Sequence, residues 1–381
     1  MENTLIFVNS TGDTFTPTKS GAIATWIWEM CRAAQGFGIE PWVLTRSAAV
    51  DAYPWVRTVE LRYPFPPKIR GAGRLCGWIS RRKGWAHIRQ EAWVSRLLKT
   101  IKKKEWQRAV FVFHNDPESV VALRPHLPEA RLVHLFHNGN HCRSPWREGF
   151  VGSVDAAVAV SASCARWNES YFGGAVHILR NGVDVRRFRP VQKMGNKRPV
   201  IGFVGRTDRQ KAPDLLLRAA LRLAQGFNGF DVQILGARFY GSHESDPYQT
   251  MIRNLGVKLE EKGVNVLNHG FVNRLALPRI LASADIHVVP SRWEDPCPLT
   301  VLEGMATGQA IVASGCGGIP EIVGSAGFIF ERDDVDGLEA RLRVLLLNDD
   351  LRGAYGRRAR ERAEKRDWRQ VFSELLEIIN F

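Results

Sequence analysis

The sequence has no apolar run approaching the ~18 residues that a bilayer-crossing helix requires. Its first residues, MENTLIFVNS, lack a basic stretch, and their apolar part is too short for a secretory signal. They read as a first buried strand. Cys-x-x-Cys pairs are absent too. The 6 cysteines (Cys31, Cys76, Cys142, Cys164, Cys297 and Cys316) are scattered, which excludes a disulfide-stapled scaffold and suits free thiols in a reducing cytoplasm. There is no internal repeat, and low complexity is confined to the tract IKKKEW. Acidic residues are the scarce charge: 39 Asp+Glu face 53 Lys+Arg, leaving a net charge of +14 and an isoelectric point near 9.8. Such a surplus points toward anionic partners: nucleic acid, a membrane surface or a phosphorylated substrate. No RRM, KH or zinc-finger signature accompanies it, so nucleic-acid binding would explain the charge and nothing else.

What is present is alternation. Hydrophobic residues make up 45% and charged residues 24%, as in ordinary globular proteins, and 381 residues is long for one core, so two domains are expected. Short apolar runs (TLIFVNS, PWVLT, AVFVFHN, RLVHLFHN, AAVAVS and VHILRNG) alternate with helical patterns such as AIATWIWEMCRAAQGFG. After the linker RRFRPVQKMGNKRPV the alternation restarts with VIGFVG, FDVQILG, VNVLNHG, IHVVPS, AIVAS and GFIF. This predicts parallel sheets covered by helices, twice over, with ligands at the carboxyl ends of the strands. In the last segment, WRQVFSELLEIINF, the residues Val371, Phe372, Leu375, Leu376 and Ile379 share one helical face.

Two stretches carry anion-binding geometry. In VIGFVGRTDRQKAPDLLLRAA a strand turns at Gly205 into a helix opening at Pro213, so Arg206 and Lys211 flank a helix N-terminus. In SRWEDPCPLTVLEGMATG a helix starts at Pro298 and Leu299, and the amides near Leu299 and Thr300 point out of its first turn. Glu303 lies about one turn further in, roughly 6 Å along the axis. A carboxylate there repels phosphate and suits a neutral donor such as a ribose diol, while Asp295 on the preceding loop can reach hydroxyls beyond the phosphates. The plain alternatives are solvated cations at 206 and 211, a helix-capping Asp295, and Glu303 in a buried salt bridge.

Other clusters admit two readings each. His134, His137, His141 and Cys142 have spacing that could ligate zinc, but His134 and His137 lie at opposite parity on one strand. His114 either lines an acceptor cleft or packs at a strand end. Residues 62–108 hold 14 Lys+Arg against only Glu91 and Glu105. There Val94, Leu97, Leu98 and Ile101 form an apolar stripe, with Arg89, Arg96, Lys99 and Lys102–Lys104 around it and Trp85 and Trp93 nearby. That is either core packing with a solvated back or an interfacial helix.

In order and spacing, NGVDVRRFRP, GFVGRTDRQKAPDLLLRAA, HGFV and ADIHVVPSRWEDPCPLTVLEGMATGQAIVASGCGGIPEIV resemble the retaining glycosyltransferases of family 4. The resemblance runs over residues 175–330 and continues more weakly in SGAIATWIWEMCRAAQGFGIEPWVLT and at the two strand-end His-Asn pairs. It implies an α/β GT-B fold, two Rossmann-like domains facing each other across a cleft. The acceptor domain would span residues 1–190, with the C-terminal helix 366–381 packing back on it, and the nucleotide-sugar domain 197–365. By the same resemblance Arg206 and Lys211 match the cationic pair that holds the donor diphosphate. Glu303 matches the second acid of the family's Glu-x7-Glu motif, which binds the ribose. The first acid falls on Asp295, a shortened Glu, and Pro298 replaces the usual Gly. Gly21, Phe271, Val272, Leu299 and Thr300 fall at donor-binding positions, Glu321 at a position that shapes the loop under the donor, and His137 at the catalytic centre.

The expected activity is metal-independent, cofactor-free transfer with retention from a UDP-, GDP- or ADP-sugar. The acceptor would be an anionic glycan or glycolipid, such as a lipopolysaccharide core or another envelope glycan. Arg206, Lys211 and the amides near Leu299 would stabilise the departing diphosphate, and Asp295 and His137 would orient the sugar. The protein would be cytoplasmic and peripheral at the inner face of the membrane, docked through residues 62–108, with no nucleic-acid partner. A sugar phosphorylase or nucleotide-sugar epimerase of the same fold is the rival reading.

Overall fold

The computed structural model describes residues 4–10, 14–16, 21–45, 53, 55–61, 85–139, 146–191, 198–237 and 247–381, with the backbone alone over 85–89. The chain divides into two compact units. The first comprises Met1–Val160, Cys164–Leu179 and Phe372–Phe381, and the second Ser161–Ser163 and Arg180–Val371.

The first unit is built on strands β1 (Leu5–Val8), β2 (Trp42–Thr45), β3 (Arg57–Glu60), β4 (Val110–His114), β5 (Arg131–Phe136), β6 (Ala156–Ala159) and β7 (His177–Ile178). They form one sheet in the order β3-β2-β1-β4-β5-β6-β7, with every neighbouring pair parallel. The second unit holds β8 (Val200–Val204), β9 (Asp231–Leu235), β10 (Val266–Gly270), β11 (Ile286–Val289), β12 (Ala310–Ser314) and β13 (Gly327–Phe330). Their order is β10-β9-β8-β11-β12-β13, again parallel throughout. Both sheets are therefore doubly wound, reversing direction between β1 and β4 and between β8 and β11, where open α/β sheets form their binding crevice. The central strands β1, β4, β11 and β12 are buried along their whole length, as helices on both faces require. β3 was not among the apolar runs: its RTVE is a partly exposed edge strand, and edge position replaces the hydrophobic signal with charge.

The helix Trp85–Lys103 decides between the two readings of the apolar stripe. Trp93, Val94, Leu97 and Ile101 belong to the first unit's core with Ile6, Val8, Leu44, Phe111 and Phe113, and Leu98 packs against them. The stripe is core, so these residues offer no apolar face to a membrane. From residue 90 to 103 its exposed side chains are Glu91, Ser95, Arg96, Lys99, Lys102 and Lys103, a mostly charged face continued by Lys104. Residues 62–84 of the basic region, with His141 and Cys142, lie outside the described residues. Among the described residues no helix is long and apolar enough to cross a membrane.

The terminal helix Trp368–Ile379 buries Val371, Phe372, Leu375 and Ile379. Within the first unit, the Phe372 ring lies 5.3 Å from that of Phe37, and the Arg131 guanidinium donates to the Ile378 carbonyl at 3.4 Å.

Candidate functional site

In the second unit, β8 and β11 are paired only through Ile286 with Ile201 and His287 with Gly202. Beyond those first residues the strands carry no ladder, and the two loops that leave them meet above the gap. The β8 loop is held to the β11 loop by the Gln210 carbonyl, which accepts from Arg292 N at 2.8 Å, Trp293 N at 3.2 Å and Ser291 Oγ at 3.3 Å. Asp208 shapes the first loop, accepting from the amides of Gln210 at 3.1 Å and Lys211 at 3.0 Å. Ala212, buried and left-handed at φ 52°, then turns the chain into the helix Pro213–Leu223. A non-glycine residue there is uncommon and is held only where its surroundings demand it. The turn leaves Lys211 facing the second loop, where its Nζ forms an ion pair with the buried Asp295.

Asp295 is thus a charge partner and not a helix cap. The helix Leu299–Ala306 starts after Pro298 with no side-chain cap, leaving its first-turn amides to other acceptors. It ends in a left-handed Gly308 at φ 75°, with Gly308 N bound to Met305 O and Gln309 N to Gly304 O. Gly304 lets this helix lie close on β11, because a Cβ there would come within 2.6 Å of the His287 ring. That approach carries Glu303 down to 3% exposure. Its Oε1 receives Arg274 at 2.7 Å, whereas Oε2, equally buried, has no hydrogen-bond partner. The buried salt bridge posed as the alternative is therefore present, yet it satisfies half of the carboxylate. A buried charged oxygen left open is costly, so a hydrogen-bond donor supplied from outside the chain fits it.

Arg206 sits differently from Lys211. Its side chain is 43% exposed and rests against Asp208 at 3.2 Å and Gln210 at 3.0 Å. Phe271 and Val272 follow β10 at the sheet edge, Phe271 being 46% exposed. Glu294 accepts from Gly317 N at 2.6 Å and pairs with Arg332, bracing the glycine turn 317–318. Glu321 accepts from the amides of Ala162 at 2.9 Å and Ser163 at 2.8 Å and from Arg180 at 3.2 Å. Arg274 escaped the sequence reading; it lies 29 residues before Glu303 and belongs to no motif.

The first unit places its polar groups at the same end of its own sheet. Gly21 opens the helix Ala22–Gln35 in an extended conformation. His114 ends β4, His137 follows β5, and Nδ1 of the first stands 2.9 Å from Nε2 of the second. Burial lowers the pKa of His137 to about 3 and, with the charges of His137 and His134, holds His114 well below its ordinary value. His134 turns to another partner, accepting from Asp116 N at 3.0 Å through Nε2. His134 and His137 therefore do not converge. Asp116, also buried, binds Gln90, Trp93 and Ser119; desolvation raises its pKa against those hydrogen bonds.

Comparison with known proteins adds the lineage. Residues 184–362 match the family model described as glycosyl transferases group 1. The alpha-maltose-1-phosphate synthase of Mycolicibacterium smegmatis is 31% identical over 270 residues, 63% of this chain and 67% of that protein. The phosphatidyl-myo-inositol mannosyltransferase of the same organism is 29% identical over 244 residues, 61% of this chain and 58% of that one. Anabaena Alr3699/HepE, solved with UDP-glucose, superposes with a TM-score of 0.72 at 15% identity, covering 100% of both chains. With the two doubly wound sheets, this likeness over the whole chain shows the GT-B fold.

Proposed function

The chain belongs to the group 1 glycosyl transferases, and from that premise we propose that it is a retaining enzyme of the family 4 type that uses no metal. Its donor is a UDP-, GDP- or ADP-sugar and its acceptor an anionic glycan or glycolipid, of the lipopolysaccharide-core or envelope type. One observation carries the donor assignment: the open Oε2 of the buried Glu303, at the same strand ends as the Lys211–Asp295 pair. A ribose hydroxyl completes that carboxylate, and the diphosphate then lies toward Lys211, Arg206 and the amides of Leu299 and Thr300. As the sugar–phosphate bond breaks, negative charge grows on the leaving diphosphate. Fixed cations and amides stabilise it without reorganisation, so no divalent ion is needed. Binding moves Lys211 from Asp295 to phosphate and frees Asp295 to hold sugar hydroxyls. The acceptor hydroxyl attacks from the leaving-group face and gives its proton to the departing phosphate.

The acceptor reading rests on charge and on relatives. The chain carries +14 overall, and phosphate stands in the names of both Mycolicibacterium relatives, as the product of one and the phosphatidyl headgroup of the other. Docking at the inner face of the membrane rests on charge, because the apolar stripe of Trp93, Val94, Leu97 and Ile101 is core. The test is a panel of UDP-, GDP- and ADP-sugars in EDTA, with and without glycan or glycolipid acceptors. Transfer with the donor's anomeric configuration kept supports the proposal. Inversion, phosphorolysis or epimerised donor would each replace it.

A further inference from the structure

We propose that His114 is a positioning residue that fixes His137 as its Nδ1–H tautomer, so that His137 meets substrate as a neutral hydrogen-bond donor and not as a base. The functional half of this statement rests on placing His137 in the sugar-handling site; the tautomer itself does not.

The geometry allows one proton between the rings. They lie 29° from parallel with centroids 5.1 Å apart, and Nδ1 of His114 is 2.9 Å from Nε2 of His137. Trp26 stands edge-on to both, at 5.0 Å from His114 and 5.8 Å from His137, and Phe7 lies 6.0 Å from His114. His114 is 0% exposed, and its other nitrogen, Nε2, has no hydrogen-bond partner. That open nitrogen decides the direction of the bond. Were His137 to donate from Nε2, a neutral His114 would accept at Nδ1 and carry its own N–H at Nε2, a buried donor with nothing to bind. With His114 donating, Nε2 keeps a bare lone pair, the smaller cost, as native interiors leave buried acceptors under-satisfied more often than they orphan buried N–H donors. His137 then has its Nε2 filled and its single N–H at Nδ1.

The backbone is held as well. Asn115, left-handed at φ 50°, accepts His137 N through Oδ1 at 2.8 Å, and its own N–H binds Leu135 O at 3.2 Å. Consecutive residues at the end of β4 thus set the ring and the main chain of His137. A histidine whose Nε2 is already bonded and whose pKa is near 3 does not take a proton at neutral pH. It donates from Nδ1 to a sugar or acceptor oxygen.

The test uses the full chain labelled with ¹⁵N-histidine. Long-range ¹H–¹⁵N spectra at pH 7.5 read each ring's tautomer, and the His137 signals are those lost in His137→Gln. The expected pattern is a protonated Nδ1 and an unprotonated, accepting Nε2. In His114→Asn, whose amide offers an N–H near the Nδ1 position, the pattern persists. In His114→Phe it reverts to the Nε2–H form that a free imidazole prefers. An Nε2–H tautomer in the wild type, or no change in His114→Phe, overturns the proposal. Turnover is then measured with a nucleotide sugar from the donor panel; a panel without any donor overturns the proposed function and leaves the tautomer readable. His114→Asn should keep kcat, and His114→Phe should lose roughly tenfold with KM little changed, the scale of one mis-set hydrogen bond. A packing role predicts the reverse order, with the ring-preserving Phe the more active variant, and that result overturns the functional half.

Discussion

The strand ends of the two sheets carry opposite polar chemistry. In the second unit the groups are charged and paired: Lys211 with Asp295, Arg274 with Glu303, Arg206 with Asp208, and Arg292 with Asp214. In the first unit they are neutral: His114 and His134 are buried, His137 is half-buried, and all three titrate far below neutrality because desolvation penalises their charged forms. The same doubly wound architecture therefore offers two kinds of polar surface. Cations beside carboxylates are suited to exchanging partners with a diphosphate. Uncharged rings are suited to hydroxyl groups, whose recognition needs direction more than charge.

Removing the charge on one side breaks this division most severely. Lys211→Ala should lower kcat by roughly 10²–10³, because its charge acts on the leaving diphosphate. Arg206→Ala should fall toward the lower end of that range, since the guanidinium is 43% exposed and already engaged by Asp208. Steady-state kinetics on the folded variants checks both, and near-wild-type turnover for Lys211→Ala refutes the phosphate assignment.

Stability gives the next largest effect. Arg292, from the β11 loop, forks onto Asp214 at 2.7 and 2.9 Å, and Tyr248 donates to the same carboxylate at 2.5 Å. Asp214→Asn should cost about 3 kcal/mol or somewhat less, the low end for a broken buried pair, since the Arg292 side chain is 28% exposed. Burial alone would raise the pKa of Asp214, but the hydrogen bonds from Arg292 and Tyr248 and the charges of Arg292 and Arg218 hold it below the usual value. A depressed folded pKa contributes stability above the unfolded value, about 4, that is lost as pH falls through the folded one. Thermal melts from pH 7 to pH 2 should therefore show a shallower acid limb for Asp214→Asn than for the wild type.

The smallest effects concern the solvent face of the helix Trp85–Lys103. Changing Lys99, Lys102, Lys103 and Lys104 together to Gln should release the protein from anionic vesicles while turnover on a soluble acceptor stays the same. Wild-type binding should fade between 50 and 500 mM salt, as the Debye length shortens from about 14 to 4 Å. Salt-indifferent binding contradicts the docking proposal, and equal loss on soluble and lipid-borne acceptors moves these cations to the acceptor itself. EDTA should change nothing in any assay; loss of activity with rescue by zinc would contradict metal independence.

Much of the fold was legible because parallel strands buried from end to end are mostly apolar, as IHVV and AIVAS are, and such runs stand out whatever their neighbours. The RTVE strand did not, since an edge position removes that pressure. At the candidate site, motif spacing singled out Lys211, Asp295 and Glu303; the structure pairs Lys211 with Asp295, and Glu303 lies on the helix that follows the β11 loop. Arg274 was not, because its contact with Glu303 is set by the path of the β10 loop and not by local pattern. The apolar stripe of Trp93, Val94, Leu97 and Ile101 shows the limit of periodicity: it reports an apolar helix face without saying whether core or lipid covers it. The bond between His114 and His137 was invisible for a related reason. It depends on the register of β4 and β5, which pairs His114 with Leu135 and sets His137 beyond the strand end.

Isothermal titration of UDP, GDP and ADP in EDTA into the wild type, Glu303→Ala and His137→Ala tests the division between the two units most directly. For the nucleotide that binds the wild type, Glu303→Ala should lose at least about tenfold in affinity, since hydrogen bonds to a charged acceptor contribute ~1.5–3 kcal/mol each. His137→Ala should bind that nucleotide as the wild type does, because its partner is a sugar or acceptor oxygen. Unchanged affinity in Glu303→Ala, or an equal loss in both variants, would contradict the account.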